Sequence, residues 1–155
     1  MFWVKMFKKK NKKTKAGRLP GVWLFQNKKN GKIIIAKLCQ DPDMGLETVS
    51  QASPIIIEPK NYYSDISQAI FEAFESFSSN PYGMPDFLKK DENKFYRNHR
   101  FVSISFEKPD EIHVSPMTKI YGGHRGDQED LRIYTLEEFK ENLPQIILEA
   151  FERCK

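Results

Sequence analysis

The sequence lacks the marks of most chemistries. Its apolar runs, such as Ile33-Ile34-Ile35 and Ile55-Ile56-Ile57, have strand length, far below the roughly 20 residues a membrane-spanning helix needs. The basic N-terminus carries no apolar stretch of signal-peptide length and no small-residue cleavage site, so secretion is not expected and a cytoplasmic location is. The two cysteines, Cys39 and Cys154, have no metal-type spacing and are expected to be reduced. No G-x-S-x-G elbow and no phosphate-cradling glycine loop occurs. Gly122-Gly123-His124-Arg125-Gly126 is glycine-rich but lacks a strand–loop–helix setting and a Lys-Ser/Thr ending.

Histidine is scarce too: His99, His113 and His124. Glu111 and His113 have strand spacing and, with His124, form one conceivable metal set. The alternative reading makes His113 an outward polar residue of an alternating strand. An RNase-like use of His113 and His124 with Lys119 needs convergence that spacing alone does not supply. No catalytic residue, metal ligand or cofactor is therefore assigned, and the chain is expected not to be an enzyme.

What is present is an uneven charge distribution. The formal net charge is +4, but residues 1–18 carry eight basic side chains and no acid, leaving 17 basic against 21 acidic residues in 19–155. The chain reads as a flexible basic tail, 1–18, on one mildly acidic domain, 19–155. Such a tail suits solubility, or weak contact with nucleic acid or anionic membrane.

The body alternates strand and helix signals. Val22–Gln26 and Ile33–Cys39 flank Asn30-Gly31, a type I′ hairpin signature. Residues 40–53 read as a loop, and Ile55–Glu58 as a third strand. Ser64 is the expected N-cap of a helix Asp65–Ser78 whose Ile66, Ala69, Ile70, Ala73, Phe74 and Phe77 form one stripe. Residues 79–98 read as a polar connector with a helical turn near Asp86–Lys90. In the second half Phe101–Phe106 and Glu111–Ser115 alternate, the Gly-Gly segment reads as a loop, and Leu131–Tyr134 as a strand. Thr135 and Glu138 form a capping box before a last helix in which Pro144 predicts a kink or break. The fold class that follows is α+β, one antiparallel or mixed sheet with flanking helices.

Hairpin, strand and helix occur twice. Gln68–Glu75 and Gln145–Glu152 match at six of eight positions, 77 residues apart. Two ββ-β-α halves related by internal duplication are one explanation; convergence of two amphipathic helices is the other.

The run RFVSISFEKPDEIHVSPM, the Gly-Gly loop, a short strand and the ending IILEAFERC, with PIIIEP and SDISQAIFEAFESF before them, resemble the immunity proteins of bacterial contact-dependent growth inhibition systems. The likeness covers roughly residues 20–155 and includes no catalytic motif. It implies a cytoplasmic inhibitor that binds the toxin domain delivered by a neighbouring cell, often a nuclease. Contact residues vary with the toxin, so none is carried over. Charge supplies candidates instead: Asp41, Asp43 and Glu47 in the first long loop, and Asp127, Glu129 and Asp130 in the second, to steer a cationic partner. Tyr121, His124 and Arg125 are the candidate anchors, Tyr and Arg being prominent in interface energetics. The alternative functions are a nucleic-acid-binding module using the Lys-rich N-terminus with the segment Lys94–Arg100, and a small hydrolase or nuclease. Within that segment, Phe95 and Tyr96 are read as covering a core edge, and Arg97 and Arg100 as solvated.

Overall fold

The computed structural model describes residues 19–43, 45–120 and 123–154. Eight strands form one antiparallel sheet in the order β3-β2-β1-β5-β6-β7, with β4 added to β2 and β8 to β6. The strands are β1 Gly21–Asn27, β2 Ile33–Gln40, β3 Glu47–Val49, β4 Ile55–Ile57, β5 His99–Lys108, β6 Glu111–Ile120, β7 Gly123–Gly126 and β8 Arg132–Tyr134. Five α-helices accompany them: α1 Tyr62–Ser76, α2 Asp86–Lys89, α3 Glu92–Asn98, α4 Leu136–Glu141 and α5 Leu143–Glu152. The α+β class and the sheet flanked by helices are as the sequence predicts.

The two halves repeat one wiring. β1 and β5 pair at the centre, with Trp23 opposite Ser103. Each is flanked by its hairpin partner, β2 or β6. Each of those carries two short strands along its outer edge. Leu38 pairs with Val49 as Met117 does with Gly126, and Ile33 pairs with Ile57 as Ile112 does with Tyr134. The unit is thus four strands followed by helix, one strand more per half than the sequence pattern indicates. Similarity of two helix ends does not account for a repeat that runs through strand order and register. Ile56 and Ile133, the middle residues of the outer strands β4 and β8, are each 57% exposed.

Alternation along the strands sorts side chains to two faces. Val22, Leu24, Ile33, Ile35, Val102, Ile104, Ile112 and Val114 join Ile70, Phe74, Phe139, Ile147 and Phe151 of the helices in the larger core. The matched helix ends explain themselves there: Ala73 and Phe74 of α1, and Ala150 and Phe151 of α5, are essentially fully buried, while Glu72 and Glu152 stay in solvent. The other face is covered unevenly. Phe25, Ala36, Leu38 and Phe101 pack under Phe77, Leu88, Phe87, Phe95 and Tyr96, so the segment between the halves roofs the first half and the edge of the second. Ser103, Ser105, His113 and Ser115, farther along that face, are only half-buried.

Several local expectations are corrected. The β1–β2 turn is not type I′: Gly31 alone has positive φ (+77°) and no described non-glycine does. Asn27 instead organises a longer turn, its side chain accepting from Lys29 and Asn30 N–H and its carbonyl from Gly31 N–H. Residues 40–53 are not all loop but contain β3, and the glycine-rich loop contains β7. Both are edge strands of three or four residues, too short for alternation to mark. Helix α1 begins at Tyr62, a turn before the expected Ser64 cap, because a 3-10 turn at Pro59–Asn61 feeds it directly. The Ser64 hydroxyl instead donates back to the Asn61 carbonyl. The connector holds two short helices rather than one turn; α3 is capped by Asp91, which accepts from Lys94 N–H. The capping box at Thr135 and Glu138 is formed. The chain breaks between α4 and α5 at Asn142, with Pro144 in the first turn of α5, where its missing donor costs nothing.

Candidate functional site

Charged and aromatic groups collect in two kinds of place. The first is the pair of acidic segments. Asp41–Leu46 joins β2 to β3 on one sheet edge, and Asp127–Leu131 joins β7 to β8 on the other. Four strands separate β3 from β7, which at the usual inter-strand spacing is roughly 24 Å. The two acidic groups are therefore not one patch.

Within the first, Asp41 accepts from Asp43 N–H at 2.8 Å, an Asx turn that exposes Asp43. The Glu47 carboxylate lies over Gly21: a Cβ placed there would meet its Oε2 at 2.6 Å, so a larger residue would displace the end of this flexible side chain. Burial, then the charge of Asp41, pushes the Cys39 thiol up, which keeps it protonated and unreactive. In the second segment, Asp127 is held by Arg125 at 3.3 Å, so this anchor and this acid partly satisfy each other. Glu129 is exposed and Asp130 half-buried. Tyr121 and the tail 1–18 lie outside the described residues.

The second place is a cavity of about 410 Å³ lined by Lys28, Tyr96, Arg97, His99, Arg100, Phe101, Met117, Lys119, His124 and Cys154. Five separate stretches of chain build it. Lys28 comes from the β1–β2 turn, where its N–H donates to the Asn98 carbonyl at 2.9 Å. Tyr96 and Arg97 come from the end of α3, and His99, Arg100 and Phe101 from the start of β5. Lys119 of β6 stands opposite His124 of β7, and Cys154 follows α5, its thiol donating to the Phe101 carbonyl at 3.2 Å. His124, one of the candidate anchors, packs its ring against Tyr96 and Phe101 at 4.6 and 5.1 Å between centroids.

The electrostatics of this cavity follow from its lining. Burial, then Lys119, pushes His124 below the usual histidine range. For His99 burial also lowers the pKa and Lys28 lowers it further, against the opposing effect of Phe95, whose carbonyl accepts from Nδ1 at 2.7 Å. That bond puts the proton of the neutral ring on Nδ1. Burial beside Glu92 pushes the Tyr96 hydroxyl up to about 12, so it stays neutral.

The segment Lys94–Arg100 thus has both roles the sequence weighs. Phe95 and Tyr96 pack on the outer core, while Arg97 and Arg100, exposed, also line the cavity. Lys28 was missed, and Lys119 was weighed only with His113 and His124; only the β1-β5-β6 order brings the two lysines to this segment. The histidine–carboxylate set splits. His113 Nε2 and Glu111 Oε2 are 2.9 Å apart, whereas His124 pairs with the far end of β6. Among the described residues no group of three potential ligands assembles.

The arrangement offers acidic turns on opposite edges of an antiparallel sheet, a half-open polar face and a cationic cavity. No protein-family model matches the sequence, and no curated protein matches it significantly. Solved structures do share the fold. A Neisseria meningitidis protein of unknown function matches with a TM-score of 0.61 at 14% identity, over 89% of this chain and 98% of its own. A chain of a CdiA-CT/CdiI toxin and immunity complex from Yersinia pseudotuberculosis matches with a TM-score of 0.60 at 12% identity, over 89% of this chain and 99% of its own. The class is thus an α+β fold that such a complex also contains. Among the described residues no helix is long and apolar enough to cross a membrane.

Proposed function

We propose that this chain is an immunity protein that binds and neutralises the toxin domain of a contact-dependent growth inhibition system. The observation that carries the reading is the shared fold with a chain of a toxin and immunity complex, spanning nearly all of that chain. The protein acts in the cytoplasm, as a stoichiometric inhibitor without turnover. Its target is a nuclease domain: proteins that grip phosphate backbones are cationic, and residues 19–155 are net acidic. An acidic partner then gains association rate by electrostatic steering. Asp43 and Glu129 are the exposed acids best placed to contribute, each at a turn on a sheet edge.

Co-expression tests this directly. Cells making the toxin domain encoded immediately upstream of this gene are expected to survive when this chain is present, and the two purified proteins to form a one-to-one complex. Survival should fall as salt-sensitive binding is weakened by Asp43→Lys and Glu129→Lys together. No rescue from that toxin domain, with this chain folded and abundant, overturns the proposal.

A further inference from the structure

The cationic cavity is not a consequence of composition. Residues 19–155 carry more acids than bases, yet the lining contains Lys28, Arg97, Arg100 and Lys119 and no aspartate or glutamate. None of these four appears in an ion pair among the described residues; the pairs found there involve Lys32, Lys89, Arg125 and His113. Arg100 makes one long hydrogen bond, 3.4 Å, to the Gln26 side chain. Like charges gathered around one space repel. An anion would relieve it.

The lining also restricts which anion. Two guanidinium groups offer forked donors suited to phosphate or carboxylate, and two ammonium groups offer further charge. A carboxylate brings one charge, whereas a phosphate monoester brings about −1.5 to −2 and three acceptor oxygens. The volume, about 410 Å³, lies within the range of about 300–1,000 Å³ for small-ligand sites and leaves room for the group that bears the phosphate. Tyr96, Phe101 and Met117 supply apolar surface for that group. We propose that this cavity binds a phosphate ester of nucleotide size, with Arg97, Arg100, Lys28 and Lys119 around the phosphate and the aromatic wall against its organic part. This site differs in charge from the acidic turns proposed for the toxin, whose cationic surface the cavity would repel.

The test is titration of the full chain at low salt with AMP, adenosine and a 5′-hydroxyl trinucleotide, followed by calorimetry and amide chemical shifts. AMP is expected to bind saturably, with shifts at residues 96–101, 117–119 and 124, and adenosine at least tenfold more weakly. Tighter binding of AMP than of the trinucleotide assigns the ligand as a free terminal phosphate. The reverse order assigns the phosphate to a nucleic-acid strand, and either order supports the site. Arg97→Glu with Lys119→Glu should weaken binding at least tenfold with an unchanged circular dichroism spectrum, while Lys140→Glu on α4 changes it less than twofold. Absence of saturable binding by both AMP and the trinucleotide overturns the proposal. So does equal weakening by Lys140→Glu, which would mean diffuse charge rather than a cavity. Toxin protection by Arg97→Glu/Lys119→Glu, scored separately, keeps the outcome distinct from that of the immunity function.

Discussion

Phe25 is the residue on which the outer layer depends, and replacing it by alanine tests that reading. Its ring is fully buried and meets Phe101 at 4.7 Å, Phe95 at 5.1 Å, Tyr96 at 5.9 Å and Phe87 at 6.2 Å between centroids. Three of these four partners lie on α2 and α3. A buried phenylalanine removes roughly 150–250 Å² from water, which at about 25 cal/mol per Å² corresponds to some 4–6 kcal/mol. The unfolded chain already buries part of that surface, so Phe25→Ala should cost about 3–4 kcal/mol, near the low end of measured truncations of this kind. Urea unfolding followed by circular dichroism measures it. Phe74→Ala in the larger core, fully buried against Phe106 and Phe139, should cost a similar amount. The two variants should differ in where they loosen the protein. Native-state hydrogen exchange should accelerate across residues 86–98 in Phe25→Ala and not in Phe74→Ala. A cost below about 1 kcal/mol, outside the usual range for such a truncation, would refute the packing argument. Equal acceleration of 86–98 in both variants would refute the separation of the layers.

Two further outcomes follow from single sites. Thr135→Ala removes the acceptor for Glu138 N–H and opens the capping box, so unfolding should become easier by about 1 kcal/mol, read by the same urea titration. His99 and His124 both have pKa values held below 6.5 in the folded protein, mainly by burial, with Lys28 and Lys119 beside them. The unfolded chain then takes up these protons first. Stability should be full above pH 6.5 and decline as pH falls from there through the lowered folded values. Melting temperatures measured between pH 7.5 and 5 should show that fall, and His99→Gln with His124→Gln should flatten it.

The sequence and the structure part company at identifiable residues. The expected stripe Ile66, Ala69, Ile70, Ala73 and Phe74 is buried on α1, which also buries Phe71, while Phe77 is buried just past its end on the other core, and the chain breaks beside Pro144 as its missing N–H dictates. Those are local properties, carried by residues within one or two turns of each other. β3 and β7 were not legible, because strands of three or four residues are held by their pairing with β2 and β6 rather than by their own composition. The Asn30-Gly31 turn misled for a related reason. A side chain three residues earlier, Asn27, captures the N–H groups and selects a different turn.

Composition and periodicity by themselves determined the α+β class, the faces of the long strands and helices, the helix caps around Thr135, and the acidic balance of the body. Only the tertiary structure decided that the two acidic turns stand on opposite sheet edges, that His124 parts from Glu111 and His113, and that Lys28, Arg97, Arg100 and Lys119 surround one space. Placement of that kind depends on which strands are neighbours. Strand order is fixed by burial summed over the whole sheet, so no short stretch of sequence contains it.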